Sequence, residues 1–123
     1  MQIFNHSWIN SPKFYKIESI KDIENTPPNS IVSLSPLPYS IDIAKYCQKN
    51  LVPFIIEVNS IKDSIFANIL GAKYIISSPN LAKEIMPIAQ NYLFDTQVLA
   101  TISKEDEIED MARVGVDGVM LIT

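Results

Sequence analysis

The chain has 123 residues, 47% apolar and 20% charged, a size and composition typical of one folded domain. Its net charge is −4, and its ten lysine and arginine residues are scattered, which argues against nucleic-acid and anionic-membrane partners because both need a concentrated basic surface. The sequence shows no signal-peptide pattern, no apolar run of membrane-spanning length and only one cysteine, Cys47. We therefore expect a single cytoplasmic domain, residues 1–123, without a membrane partner.

Residues 1–30 are predicted to form an N-terminal arm and a first strand–helix unit. A strand is expected at residues 13–17, and the segment NTPPNS at residues 25–30 has the composition of a turn. The arm needs cover from the sheet or from a second subunit, because it carries four large apolar side chains: Ile3, Phe4, Trp8 and Ile9.

From residue 31 the chain alternates short β-branched apolar runs with longer segments of helical spacing. Most of these runs are nearly continuous in apolar residues, as in strands covered on both faces; they lie at residues 31–35, 54–58, 74–77, 97–102 and 118–122. The alternation predicts a parallel α/β sheet of five or six strands, either flavodoxin-like or half of a (β/α)8 barrel. A half-barrel would expose sheet edges and apolar surface, so it predicts a homodimer.

The helical segments carry recognisable ends and apolar stripes. A serine with an acid three residues later predicts helix N-caps at Ser19, Ser60 and Ser103, and Gly71 and Gly115 are expected to end helices. Two stripes at helical spacing are assigned to the core: Ile61, Ile65, Phe66, Ile69 and Leu70, and then Leu81, Ile85, Met86, Ala89 and Leu93.

In a parallel α/β protein, ligands bind where the carboxyl ends of the strands meet the starts of the helices. The side chains expected at that edge are hydroxyls and amides, and the ligand-binding candidates are Asn59, Ser77, Ser78, Asn80, Thr101, Ser103 and Thr123. Glu57, in FIIEV, is the candidate catalytic residue, because a half-buried carboxyl in an apolar run can serve as a general acid. The same groups can instead cap helices. A small anionic ligand at the helix starts is the expected partner.

The sequence lacks the combinations of residues that nucleophilic catalysis, metal binding and phosphate binding usually require. The one histidine, His6, is expected in the N-terminal arm, and Cys47 lies in a predicted helix as a small buried thiol, so neither forms a nucleophile–base pair. One histidine, one cysteine and scattered acids give no metal-ligand spacing. The three glycines, Gly71, Gly115 and Gly118, fall outside the strand-to-helix loops where a phosphate cradle needs them. We expect no metal and no cofactor.

The segment LGAKYIISSPN, from Leu70 to Asn80, resembles the 2-keto-3-deoxy-6-phosphogluconate aldolases, which are (β/α)8 barrels. The register extends over residues 52–123, where ATISKEDEIEDMARVGVDGVMLI resembles the following strand, helix and strand. On that register the family's Schiff-base lysine falls on Met120, and its catalytic glutamate falls near residues 33–35, which hold no acid. The resemblance implies a shortened relative that lacks aldolase chemistry.

The segment VPFIIEVNSIKDSIFANILGAKYIISSP also resembles the later strands of response-regulator receivers. Ser78 stands where that family has a lysine, and no acidic pair ends an early strand. This resemblance implies a receiver-like binding module without phosphotransfer.

Two functions therefore remain open from the sequence. The first is a non-catalytic domain that binds a small ligand or a protein partner. The second is a small enzyme of the phosphate-barrel type that acts on a sugar phosphate or keto acid through Glu57. The ending GVDGVMLIT is interpreted as a final strand inside the sheet.

Overall fold

The computed structural model describes residues 1–122 and has seven strands and five helices in that range. In chain order they are β1 (Gln2–Phe4), β2 (Phe14–Lys16), α1 (Ile20–Ile23), β3 (Ile31–Leu34), α2 (Ile41–Lys49), β4 (Phe54–Glu57), α3 (Ile61–Ile69), β5 (Tyr74–Ser77), α4 (Pro79–Asn91), β6 (Gln97–Ile102), α5 (Asp106–Val114) and β7 (Gly118–Leu121). No helix among these residues is long and apolar enough to cross a membrane.

The strands form one parallel sheet in the order β1-β7-β6-β5-β4-β3-β2. Strands β2 to β7 lie side by side in chain order, and β1 pairs with β7, where Phe4 lies opposite Met120. The sheet has seven strands rather than five or six, because part of the N-terminal arm is itself a strand. Its order lacks the reversal of a doubly wound sheet, so the half-barrel is the correct alternative and the flavodoxin-like one is wrong.

Alternation along the strands separates two apolar layers, since successive side chains point to opposite faces. The outer layer packs strand residues such as Val32, Ile75 and Val98 against helix residues such as Ala82 and Ile85. The inner layer is built by the strands alone and consists of Phe4, Phe14, Ile31, Ile55, Tyr74, Ile76, Leu99 and Met120. Both faces are covered, as the continuous apolar runs predict.

The sheet curls around its inner layer until side chains from its two edges meet. Phe4 in β1 and Phe14 in β2 have ring centroids 5.3 Å apart, although these strands lie at opposite ends of the sheet. The Tyr74 ring contacts both, at 5.5 and 5.9 Å. The inner face of the sheet is therefore filled by its own side chains. It does not supply the exposed apolar surface from which the sequence predicts a homodimer.

Two of the three predicted serine caps are present. The Ser19 and Ser60 hydroxyls accept hydrogen bonds from the backbone N–H groups of Asp22 and Asp63. Ser103 is not a cap, because α5 begins later and the N–H of Ser103 donates to the Glu107 carboxylate at 2.7 Å. Gly115 ends α5 with a φ of 87°, as predicted for a left-handed C-cap.

Three of the five apolar residues assigned to the core along α3 face solvent instead, whereas Ile61 and Leu70 pack against the core as predicted. Ile65, Phe66 and Ile69 are 38%, 52% and 65% exposed. The fully buried positions of α3 are instead Ser64 and Ala67. Small side chains let a helix lie close to the sheet, and the large residues on the opposite side then point outward. The second stripe is largely correct, since Ile85, Met86 and Ala89 are buried, whereas Leu93 follows α4 and is exposed.

Candidate functional site

An open cleft of about 450 Å³ lies at the carboxyl ends of β4, β5 and β6. Parallel strands end at the same edge of the sheet, so residues far apart in sequence meet there. The cleft is lined by Glu57, Val58, Asn59, Ile76, Ser77, Ser78, Leu81 and Thr101.

The cleft collects most of the candidate residues that the sequence points to. Glu57, Asn59, Ser77, Ser78 and Thr101 all line it.

Three candidates are not part of this lining. Asn80 is the exposed second residue of α4, and Ser103 is exposed beyond the end of β6. Thr123 lies outside the described residues.

The hydroxyl groups of the cleft are bonded to the backbone. The Ser78 hydroxyl caps α4 by accepting from the N–H of Leu81 at 3.3 Å. The Ser77 hydroxyl donates to the carbonyl of Ser78 at 3.0 Å, and the Thr101 hydroxyl donates to the carbonyl of Ser77 at 3.4 Å. The O–H donors of Ser77 and Thr101 are already used, so these two hydroxyls can offer a ligand mainly their oxygen lone pairs, whereas the Ser78 hydroxyl accepts in its cap and keeps its O–H to donate.

Glu57 and Asn59 are the polar side chains of the cleft that remain available. Within residues 1–122, neither side chain forms a hydrogen bond or ion pair with the protein, and both are exposed. Glu57 lies two residues after Ile55 and therefore points to the same, inner face of the sheet, at the carboxyl end of β4. Its carboxyl group is in water, so the expected half-buried setting of a general acid is absent.

His6 also reaches the carboxyl edge, which the sequence did not indicate. Its Nε2 contacts the Glu105 carboxylate, and its Nδ1 accepts a hydrogen bond from the backbone N–H of Trp8 at 3.1 Å. Because Nδ1 is an acceptor, the proton lies on Nε2, which donates to Glu105. The His6 side chain is 9% exposed and both ring nitrogens are engaged, so it anchors the loop after β1 and is not a free base.

A second contact holds the same loop over the end of the sheet. The Asn5 side-chain amide donates to the carbonyl of Leu121 at 3.4 Å, at the end of β7. The position of His6 follows from the pairing of β1 with β7, two segments at opposite ends of the chain. A local pattern carries no signal for that pairing.

Cys47 is a buried residue of α2, as expected, and burial raises the pKa of its thiol to about 11. Among residues 1–122, no three His, Cys, Asp or Glu side chains are grouped so as to hold a metal ion. Met120 packs into the inner layer. The described cleft therefore has one ionisable group, Glu57, and its other polar atoms are hydroxyl, amide and backbone groups.

Fold and cleft together define the class of this protein, an α/β half-barrel with a polar cleft at the carboxyl ends of its central strands. No protein-family model matches the chain, and no curated protein sequence is significantly similar to it. The resemblances to the aldolases and to the receivers thus stay predictions from short motifs.

Proposed function

We propose that this protein is a non-catalytic module that binds a small polyhydroxylated ligand in the cleft at the carboxyl ends of β4, β5 and β6. The observation that supports this function is the pair of unbonded side chains, Glu57 and Asn59, at an open cleft whose hydroxyls are bonded to the backbone. A volume of about 450 Å³ is within the range of small-molecule sites.

The absence of an acid–base pair in the described cleft supports binding over catalysis. A general acid and a general base that act in the same step need two titratable groups within hydrogen-bonding reach of the reacting atoms. Among residues 1–122, Glu57 is the only ionisable residue that lines the cleft, and His6 has both ring nitrogens engaged elsewhere.

The charge of the cleft favours a ligand with hydrogen-bond donors. The Glu57 carboxylate accepts from hydroxyl or amino groups, and the Asn59 amide can both donate and accept. The anion expected from the sequence has less support, because Pro79 supplies no N–H and the N–H of Leu81 is capped, which leaves the N–H of Asn80 in the first turn of α4. We therefore expect a neutral polyol to bind better than its phosphorylated form.

A thermal-shift screen with free sugars, the matching sugar phosphates and keto acids tests this function. A ligand at ten times its dissociation constant stabilises the folded state by about 1.4 kcal/mol, a shift of about 5 °C for a domain of this size. Glu57→Gln and Asn59→Ala should each remove most of the shift. Glu84→Gln and Asn91→Ala, at exposed positions of α4 away from the cleft, should keep it. No shift with any compound, or a shift that survives both cleft variants, would reject the proposal.

The alternative, a small enzyme that uses Glu57 with Ser77, Ser78 and Thr101, rests on the presence of these residues in one cleft. Incubation of the protein with each sugar phosphate or keto acid, followed by NMR of the substrate, separates the two functions. Turnover that is lost in Glu57→Gln and retained in Glu84→Gln would favour the enzyme.

A further inference from the structure

The outer faces of α2 and α3 form an apolar groove of about 440 Å³, here called the α2–α3 surface. Ile41, Phe66 and Ile69 supply apolar walls, and Lys45, Lys62 and Asp63 carry its charges. The groove lies on the outside of the half-barrel, because α2 and α3 cover the outer face of the sheet.

The apolar character of this surface is a local feature. Phe66 and Ile69 are 52% and 65% exposed, whereas the neighbouring groove between α4 and α5 carries the charged residues Lys83, Glu107, Asp110 and Arg113. Full burial of a Phe or Ile side chain is worth about 1.5–3 kcal/mol. Leaving both partly in water is therefore a cost that a partner would remove.

We propose that the α2–α3 surface binds a second copy of this chain across a twofold axis, with the helices of the two copies antiparallel. All strands are parallel, so α2 and α3 both run back along the sheet in the same direction and have their N-termini at the same end of the surface. A twofold pairing brings the positive helix ends of each copy against the negative ends of the other.

The charges on α2 match this arrangement. Asp42 lies in its first turn, and Lys49 lies in its last turn, and both side chains are exposed. Positions 42, 45 and 49 share one face of the helix because of its 3.6-residue period. In the antiparallel pair, Asp42 of each copy faces Lys49 of the other, which gives two opposite-charge pairs, while the two Lys45 side chains approach one another near the twofold axis.

The size of the surface sets the expected affinity. Two helices of nine residues side by side cover about 13 by 20 Å, and the exposed side chains of Tyr39 and Leu51 lie in the turns before and after α2. A stable interface buries about 800 Å² on each partner. The α2–α3 surface is smaller, so we expect a dimer that dissociates at micromolar concentration.

Sedimentation velocity of the full chain from about 1 µM to 1 mM tests the proposal. We expect a reversible monomer–dimer equilibrium, and Phe66→Glu and Ile69→Ser should each weaken it at least tenfold without altering the circular dichroism spectrum. Leu93→Glu is the matched control, since Leu93 is 84% exposed after α4, and it should leave the equilibrium unchanged. A monomer at every concentration, or a dimerisation constant that Phe66→Glu leaves unchanged, would overturn the proposal.

A charge exchange tests the antiparallel arrangement itself. Asp42→Lys and Lys49→Asp should each weaken the dimer, because each places like charges opposite one another. The double variant should restore the wild-type association, since the pair is then exchanged in both copies. Failure of the double variant to recover association, with each single variant weakened, would refute this geometry.

Discussion

Gly118 is the first residue of β7, and we expect its replacement by alanine to strain the packing of the inner layer against Leu99. Gly118 lies between Leu99 in β6 and Gln2 in β1, which are its register partners on the two sides. A Cβ atom at this position would lie 2.8 Å from Cδ2 of Leu99 and 2.9 Å from the carbonyl oxygen of Gln2. Favourable contacts between carbon atoms begin near 3.5 Å, so both neighbours would have to move.

The loss of stability in Gly118→Ala depends on which of the two neighbours can move away from the new Cβ atom. Leu99 is fully buried in the inner layer with Phe4 and Tyr74, and the oxygen of Gln2 belongs to the backbone of an edge strand. Overpacking of a core costs about 1–3 kcal/mol, and replacing glycine in a strand recovers up to about 1 kcal/mol through the unfolded chain. We therefore expect Gly118→Ala to lower the free energy of unfolding by about 1–2 kcal/mol.

Urea unfolding followed by circular dichroism measures this loss, and a double-mutant cycle with Leu99→Ala assigns its cause. Leu99→Ala removes one of the two clashing groups, so the double variant should be more stable than the sum of the single effects by at least about 0.5 kcal/mol. Gly115→Ala is the control: its φ of 87° makes alanine strained, but Leu99 is not among the atoms close to its Cβ position, and no coupling is expected. Wild-type stability in Gly118→Ala, or full additivity, would refute the reasoning.

Three further predictions concern the caps, the thiol and the anchored loop. Ser60→Ala should lower the free energy of unfolding by about 1 kcal/mol, because it removes the cap of α3. Ser40→Ala should raise it slightly, because the buried Ser40 hydroxyl has no hydrogen-bond partner within the described residues. Equal effects of the two variants in urea unfolding would contradict this difference. Cys47, with its pKa raised to about 11, should react with a disulfide reagent at pH 8 at least about 100-fold more slowly in the folded than in the urea-unfolded protein, and similar rates would show that the thiol is accessible. Glu105→Ala should speed hydrogen exchange at the Trp8 amide, which donates to His6, and unchanged exchange would show that the contact between His6 and Glu105 does not hold the loop.

The strands were the most predictable part of the fold, because their signal is local. The apolar run FIIEV places a strand at residues 54–58, and the structure has it at Phe54–Glu57. The approach of Glu57, Asn59, Ser78 and Thr101 to one cleft follows from the same signal, since the carboxyl ends of adjacent parallel strands lie together. Whether these residues bind a ligand stays a prediction.

The exposure of individual side chains was less predictable. Glu57 ends its strand at the open end of the inner face, so it is exposed although it follows three buried residues. Ile65 and Phe66 have helical spacing with other apolar residues, yet Ser64 and Ala67 face the sheet. The period of a stripe indicates a helix, but it does not decide which side of the helix the sheet accepts.

By itself, the sequence determined the alternation of strands and helices, the parallel pairing and the edge where polar side chains collect. These depend on patterns within a few residues and on the handedness of the strand–helix–strand connection. Only the tertiary structure decided that β1 pairs with β7, that the sheet curls until Phe4 meets Phe14, and that the loop carrying His6 lies beside Glu105. Those features join segments about a hundred residues apart or opposite edges of one sheet, and they arise from the packing of the inner layer, to which every strand contributes a side chain.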